Sequence, residues 1–255
     1  MIFYTRDYRY FSAKPGNTAL FALLCVLPVA LIFILFYSPI SHAMSLWSGN
    51  IVSSVTNQTV EIMSKDFLPG LGGVHYLSMP GTVPTFTHAL VSGIICLVAI
   101  MVVSQAQLNY RPFMIYLCIA LYVQLFSSIF FIFWPDLFPY LLSDYSQLYM
   151  IQMAALLIIL PTIFGMALAL MRMSVIARVV AVLVQVSVLL IYNLFRYIVY
   201  LVFLYYCTSL YMAMLFFSLG VLFDFIQAVS IYGFAARHVS EQYGSRDRRS
   251  KWAWS

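Results

Sequence analysis

The chain has 255 residues, 64% of them hydrophobic and only 8% charged, against roughly a quarter charged in ordinary globular domains. A water-soluble surface cannot be built from that composition, so one membrane domain is expected. The net charge of +5 does not point to nucleic acid. Five basic residues (Arg237, Arg246, Arg248, Arg249 and Lys251) cluster behind the final apolar run, where anionic lipid is the simplest partner.

Residues 18–37 form an uncharged run of about the ~20 residues that a spanning helix requires, preceded by Arg6, Arg9 and Lys14. Ser41-His42-Ala43 loosely resembles a leader cleavage site, but the run exceeds the ~7–15 residues of a signal core and is read as a retained anchor. Further runs at 87–105, 112–134, 148–171, 179–203 and 209–235 bring the expected count to six spans. The expected fold is an all-α, polytopic membrane helical bundle.

Basic residues test that count independently, because they favour cytoplasmic segments. With the N-terminus inside, cytoplasmic segments collect Arg6, Arg9, Lys14, Arg111, Arg172, Arg178 and the five residues of the 236–255 tail, while outer loops hold only Lys65. Both termini are therefore expected in the cytoplasm. Pro28 and Pro161 fall within spans and predict kinks.

The 38–86 loop is too long to be structureless. Met44, Trp47, Ile51, Val55 and Ile62 recur at helical spacings between Ser48, Asn50, Ser53, Ser54, Asn57 and Thr59, which predicts an amphipathic helix lying flat on the outer membrane face. Beyond it, one turn cluster with Pro69, Gly70, Gly72 and Gly73 and another with Pro80 and Gly81 bracket an apolar stretch containing His75. With Trp47 and Ile51, these residues form a candidate lid or partner-docking surface. Asn57-Gln58-Thr59 fits the glycosylation acceptor pattern, a short pattern common by chance.

Two ionisable residues lie deep within spans, Arg196 in the fifth and Asp224 in the sixth, and Asn193 lies one turn before Arg196. Charges at that depth are costly enough to point to a role. A turn centred near residue 208 would set Asp224 about four residues, ~6 Å of rise, from the level of Arg196. Asn193, Arg196 and Asp224 are thus a candidate polar cluster, either a structural clasp or a binding site. Gln124, Gln152, Gln185 and Gln227 are weaker candidates for interhelical contacts.

Asn193-Leu194-Phe195-Arg196 resembles the Asn-x-x-Arg element of exosortase-type membrane transpeptidases, which combine it with a Cys and usually a His. Here no Cys occurs between Cys118 and Arg196, and the last span has Asp224 in place of His, so the nucleophile of that chemistry is missing. No HExxH motif, aspartyl pair or Ser with a helical His is present. His42, His75 and His88, with Glu61 or Asp66, lack diagnostic metal spacing, and Cys25, Cys96, Cys118 and Cys207 show no CxxC pairing.

No cofactor or metal is expected. The leading expectation is a non-enzymatic subunit of a multi-protein assembly in a bacterial inner membrane, serving envelope export or scaffolding beside other membrane or envelope proteins. A small transporter or channel using the polar cluster is the alternative, and a degenerate exosortase-like enzyme the third.

Overall fold

A computed structural model of the chain describes residues 27–66, 72–105, 111–169, 171, 173–218 and 220–251, by backbone alone at 111–113, 221 and 239–251. Among these, six helical stretches are long and apolar enough to cross a membrane: Leu27–Thr56, Phe86–Gln105, Met114–Phe133, Leu142–Ala169, Val175–Cys207 and Ser209–His238. Large apolar side chains such as Phe126 and Ile191, each 70% exposed, face outward. Water would not tolerate that surface and lipid tails would, so the chain is a multi-pass integral membrane protein.

In order, the elements are α1 (Leu27–Thr56), β1 (Glu61–Asp66), β2 (Gly73–Ser78), α2 (Phe86–Gln105), α3 (Arg111–Phe133), α4 (Leu142–Ala169), α5 (Val175–Cys207), α6 (Met212–Phe217) and α7 (Val221–Lys251). Among the described residues, single 3-10 turns at Pro135–Leu137 and Ser209–Tyr211 complete the order. The chain divides into two compact units, one of Tyr37–Ala154 with Tyr192–Phe223, the other of Met1–Phe36, Ala155–Ile191 and Asp224–Ser255.

Helix α1 corrects the reading of 38–86. The amphipathic segment is not a separate helix, because α1 runs unbroken through Pro39 to Thr56, about 45 Å at 1.5 Å per residue. Its orientation is also reversed. Ser41, Met44, Ser45, Ser48, Val52 and Thr56 are buried, while Trp47, Ile51 and Val55 are exposed. Small hydroxyl side chains allow close approach and return their hydrogen bonds to backbone, as Ser48 does to the Met44 carbonyl at 2.7 Å.

The apolar stretch beyond it is a strand. β2 pairs antiparallel with β1, from Glu61 opposite Ser78 to Asp66 opposite Gly73, one hairpin in a chain that is otherwise mostly helical, as an all-α class requires. Gly72 takes φ 90° before β2, where glycine carries no Cβ penalty. Pro69 and Gly70 lie outside the described residues.

In the same unit α2 packs on α3, and α3 on α6 and the Ser209–Tyr211 turn. The α2–α3 seam uses small and polar groups: Gln124 Nε2 donates to Ser92 Oγ at 3.1 Å, and Ser128 Oγ bonds Ser92 Oγ at 3.2 Å. Ala89, Phe131 and Leu210 form an apolar core beside that seam.

The other unit buries Phe164, Leu168, Met171, Val182 and Ala235 together. Arg178 Nη2 closes its α4–α5 turn on the Met171 carbonyl at 2.6 Å. The sixth span is not one helix, since α6 ends at Phe217 and α7 begins at Val221. The basic tail is helical as far as Lys251.

Candidate functional site

Asn193, Arg196, Tyr197 and Tyr200 follow the i, i+3, i+4, i+7 rule on α5 and form one buried stripe. Arg196, 4% exposed, is the centre of a polar network. Its Nε donates to the Tyr149 hydroxyl at 2.8 Å, Nη1 to the Gly220 carbonyl at 2.9 Å and Nη2 to Asn193 Oδ1 at 2.6 Å. The guanidinium carbon lies 5.3, 5.5 and 5.9 Å from the ring centroids of Tyr149, Tyr192 and Tyr200. Aromatic faces and a three-way fork of acceptors are what a buried, weakly hydrated guanidinium requires.

The break in the last span makes part of this network possible. A continuous helix would commit its carbonyls to amides four residues on. At the break, the Gly220 carbonyl takes Arg196 Nη1 as well as the Phe223 amide, the latter at 3.1 Å. The Ser218 carbonyl accepts the Tyr116 hydroxyl. Gly220 is glycine for a steric reason: a Cβ there would run into the Phe216 carbonyl oxygen and come within 3.2 Å of Gln152 Nε2.

The structure thus joins Asn193 and Arg196 in one network. Asp224 is fully buried in the first turn of α7, in the other unit. Tyr149, Tyr192, Tyr200 and the Gly220 carbonyl were not singled out in the sequence. One tyrosine among 19 carries no distinguishing signal, and a backbone carbonyl carries none at all. Cys207 lies eleven residues beyond Arg196 on α5, about 16 Å along the axis, too far to serve it as a nucleophile.

The second candidate region is the hairpin. Strand β2 is seated by side chains: Ser45 Oγ donates to the His75 carbonyl at 2.9 Å, the His75 amide to Ser41 Oγ at 3.2 Å, and the Leu77 amide to the Tyr197 hydroxyl at 3.0 Å. These three groups occupy the edge where a third strand would pair. Strand β1 is exposed at all six positions.

Register follows from those bonds. Directly opposed antiparallel residues either exchange both backbone bonds or both turn away. His75 and Leu77 turn away from β1, so their partners Ser64 and Ile62 direct their own N–H and C=O groups to the open side. Trp47 and Ile51 are exposed on α1, and Gly81 sits where a Cβ would come within 2.8 Å of Leu142 Cβ.

Among the described residues, no three His, Cys, Asp or Glu side chains come together as metal ligands. His42 and His75 do meet, edge to face, with ring centroids 4.9 Å apart. In the other unit a crevice of about 200 Å³, lined by Leu160, Phe164, Phe225, Val229 and other apolar side chains with Tyr232, offers no polar chemistry. Arg237 is exposed on α7, and Arg246, Arg248, Arg249 and Lys251 continue that helix. No protein-family model, curated protein or solved structure matches the chain.

Proposed function

We propose that the chain is a non-enzymatic subunit of a multi-protein membrane assembly that receives its partner as a strand added to β1. The observation that carries this reading is the open edge at Ile62 and Ser64, beside a strand whose opposite edge is already covered. Unpaired strand edges bind extended segments through main-chain hydrogen bonds, with side chains supplying selectivity. The uncharged centre Ile62-Met63-Ser64 is flanked by Glu61 and by Lys65 and Asp66. Those charges would reject segments lacking complementary ends.

The segregation of basic residues supports a cytoplasmic location for both termini and an outer location for the hairpin. A bacterial inner membrane, with the α7 basic residues on anionic lipid, fits that arrangement. In this reading the Arg196 network is a clasp, because each guanidinium nitrogen already meets a protein acceptor.

A photoreactive residue in place of Met63, irradiated in the native membrane, tests the docking. One dominant adduct is expected, retained with Ser64→Ala and lost with Ser64→Pro, which deletes an outward N–H without touching the β1–β2 ladder. An adduct that persists with Ser64→Pro, or a lone monomer in mild detergent with no adduct, would overturn the proposal.

A further inference from the structure

Three side chains in or beside the interruption between α6 and α7 carry buried polar atoms left unpaired by the protein. Tyr145 and Ser218 are each 4% exposed, and neither hydroxyl has a hydrogen-bond partner. Both amide atoms of Gln152 are also buried and unpartnered. Tyr145, Tyr149 and Gln152 lie at i, i+4 and i+7 on α4, hence on one face of that helix. The Tyr145 ring is 6.4 Å from the Phe216 ring, and Gln152 Nε2 is 3.2 Å from the point where a Gly220 side chain would begin. Tyr149, between them, holds Arg196 Nε.

Buried polar atoms in native proteins are paired, and where the protein provides no partner a bound molecule does. Irregular backbone at membrane depth is likewise tolerated where it lines a wet cavity, and interrupted spans are recurrent solute sites. All three orphaned side chains are uncharged, and each can both donate and accept. Arg196 directs its three nitrogens to Tyr149, Asn193 and Gly220, so a charged ligand is not what the orphaned groups select.

We propose that Tyr145, Gln152 and Ser218 bound a small hydrated site at the break in the last span, which holds uncharged hydrogen-bonding molecules with water as the resident. This is independent of strand docking at β1 and stands if that docking fails. Two measurements on the full chain test it.

Tyr145→Phe and Gln152→Met remove orphaned groups at nearly constant shape. If the site is occupied, each breaks bonds to the occupant and lowers Tm by about 2–4 °C. If it is dry, each removes an unpaired buried polar atom and Tm is unchanged or rises, which overturns the proposal. Separately, Ser218→Cys in membranes is treated with methyl methanethiosulfonate, a small uncharged reagent, and read residue by residue by mass spectrometry. Modification at least tenfold faster than at buried Cys96 is expected. A rate no greater than that of Cys96 overturns hydration of the site, and if the cysteine variant does not fold, the two isosteric variants decide alone.

Discussion

The Tyr197 hydroxyl accepts the Leu77 amide at 3.0 Å across 120 residues of sequence, and the same oxygen lies 2.5 Å from Ser146 Oγ. One side chain on α5 thus ties the hairpin to α4 and α5 together. Tyr197→Phe leaves a buried amide and a buried serine hydroxyl short of a partner, a loss of about 1–3 kcal/mol. Thermal unfolding in detergent should show it, with faster proteolysis within residues 57–85. Wild-type stability in Tyr197→Phe would mean that water replaces the phenol and that the tie is dispensable.

The spans were legible in the sequence because about twenty apolar residues bounded by charges have few other uses. Arg196 and Asn193 were legible for the converse reason, being polar where lipid allows little polarity. The hairpin was not, since β2 is held by Ser41, Ser45 and Tyr197, and no local periodicity announces long-range side-chain acceptors. Nor was the buried face of α1, whose serines read as the wet side of an amphipathic helix. In an apolar solvent that inference reverses, because small hydroxyl residues pack inward and Trp47 and Ile51 can face lipid.

Thr208, at φ 73° and ψ 169°, follows α5 in a region that β-branched residues avoid. Thr208→Gly removes the Cβ conflict, so a gain of about 1 kcal/mol or more is expected. A fall in unfolding temperature would show that threonine is required there for a contact the backbone geometry does not reveal.

Two glycines on or beside α7 should respond with opposite signs. Gly220→Ala drives a methyl group into the Phe216 carbonyl and should cost about 1–3 kcal/mol through overpacking. At Gly233 nothing lies within 4 Å of an added Cβ, so Gly233→Ala should add about 0.5–1 kcal/mol by helix propensity alone. Equal effects at the two positions would remove the steric reason for glycine at the break.

His75 should make hairpin seating sensitive to pH. Partial burial, and then the neighbouring charge of His42, hold its imidazole below the usual 6.5. The folded chain therefore binds this proton less readily than the unfolded one. Stability from the neutral ring is fully present above pH 6.5 and is lost as pH falls through the lowered folded value. Protease susceptibility of the hairpin, followed downward from pH 7.5, should rise in that window. His75→Gln should flatten the response, while His42→Gln should only weaken it, because burial is the larger cause. An undiminished pH response in His75→Gln would assign the effect to another group.

Arg196 offers the sharpest test of how the interior is held. Its three nitrogens point to three acceptors on different elements: Tyr149 of α4, Asn193 of its own helix, and the Gly220 carbonyl at the break. Arg196→Met leaves Asn193 Oδ1 and the Tyr149 hydroxyl without this donor, a cost on the order of 3 kcal/mol for charge-assisted bonds lost in a buried site. Arg196→Lys keeps the positive charge but concentrates it on one nitrogen, which cannot reproduce a planar fork or lie flat against Tyr149 and Tyr200. Less than half of the lost stability should return, and the Gly220 carbonyl should keep only the Phe223 amide. Full recovery in the lysine variant, measured by denaturant titration in the same detergent, would show that only the charge matters. The break in the last span would then require another explanation.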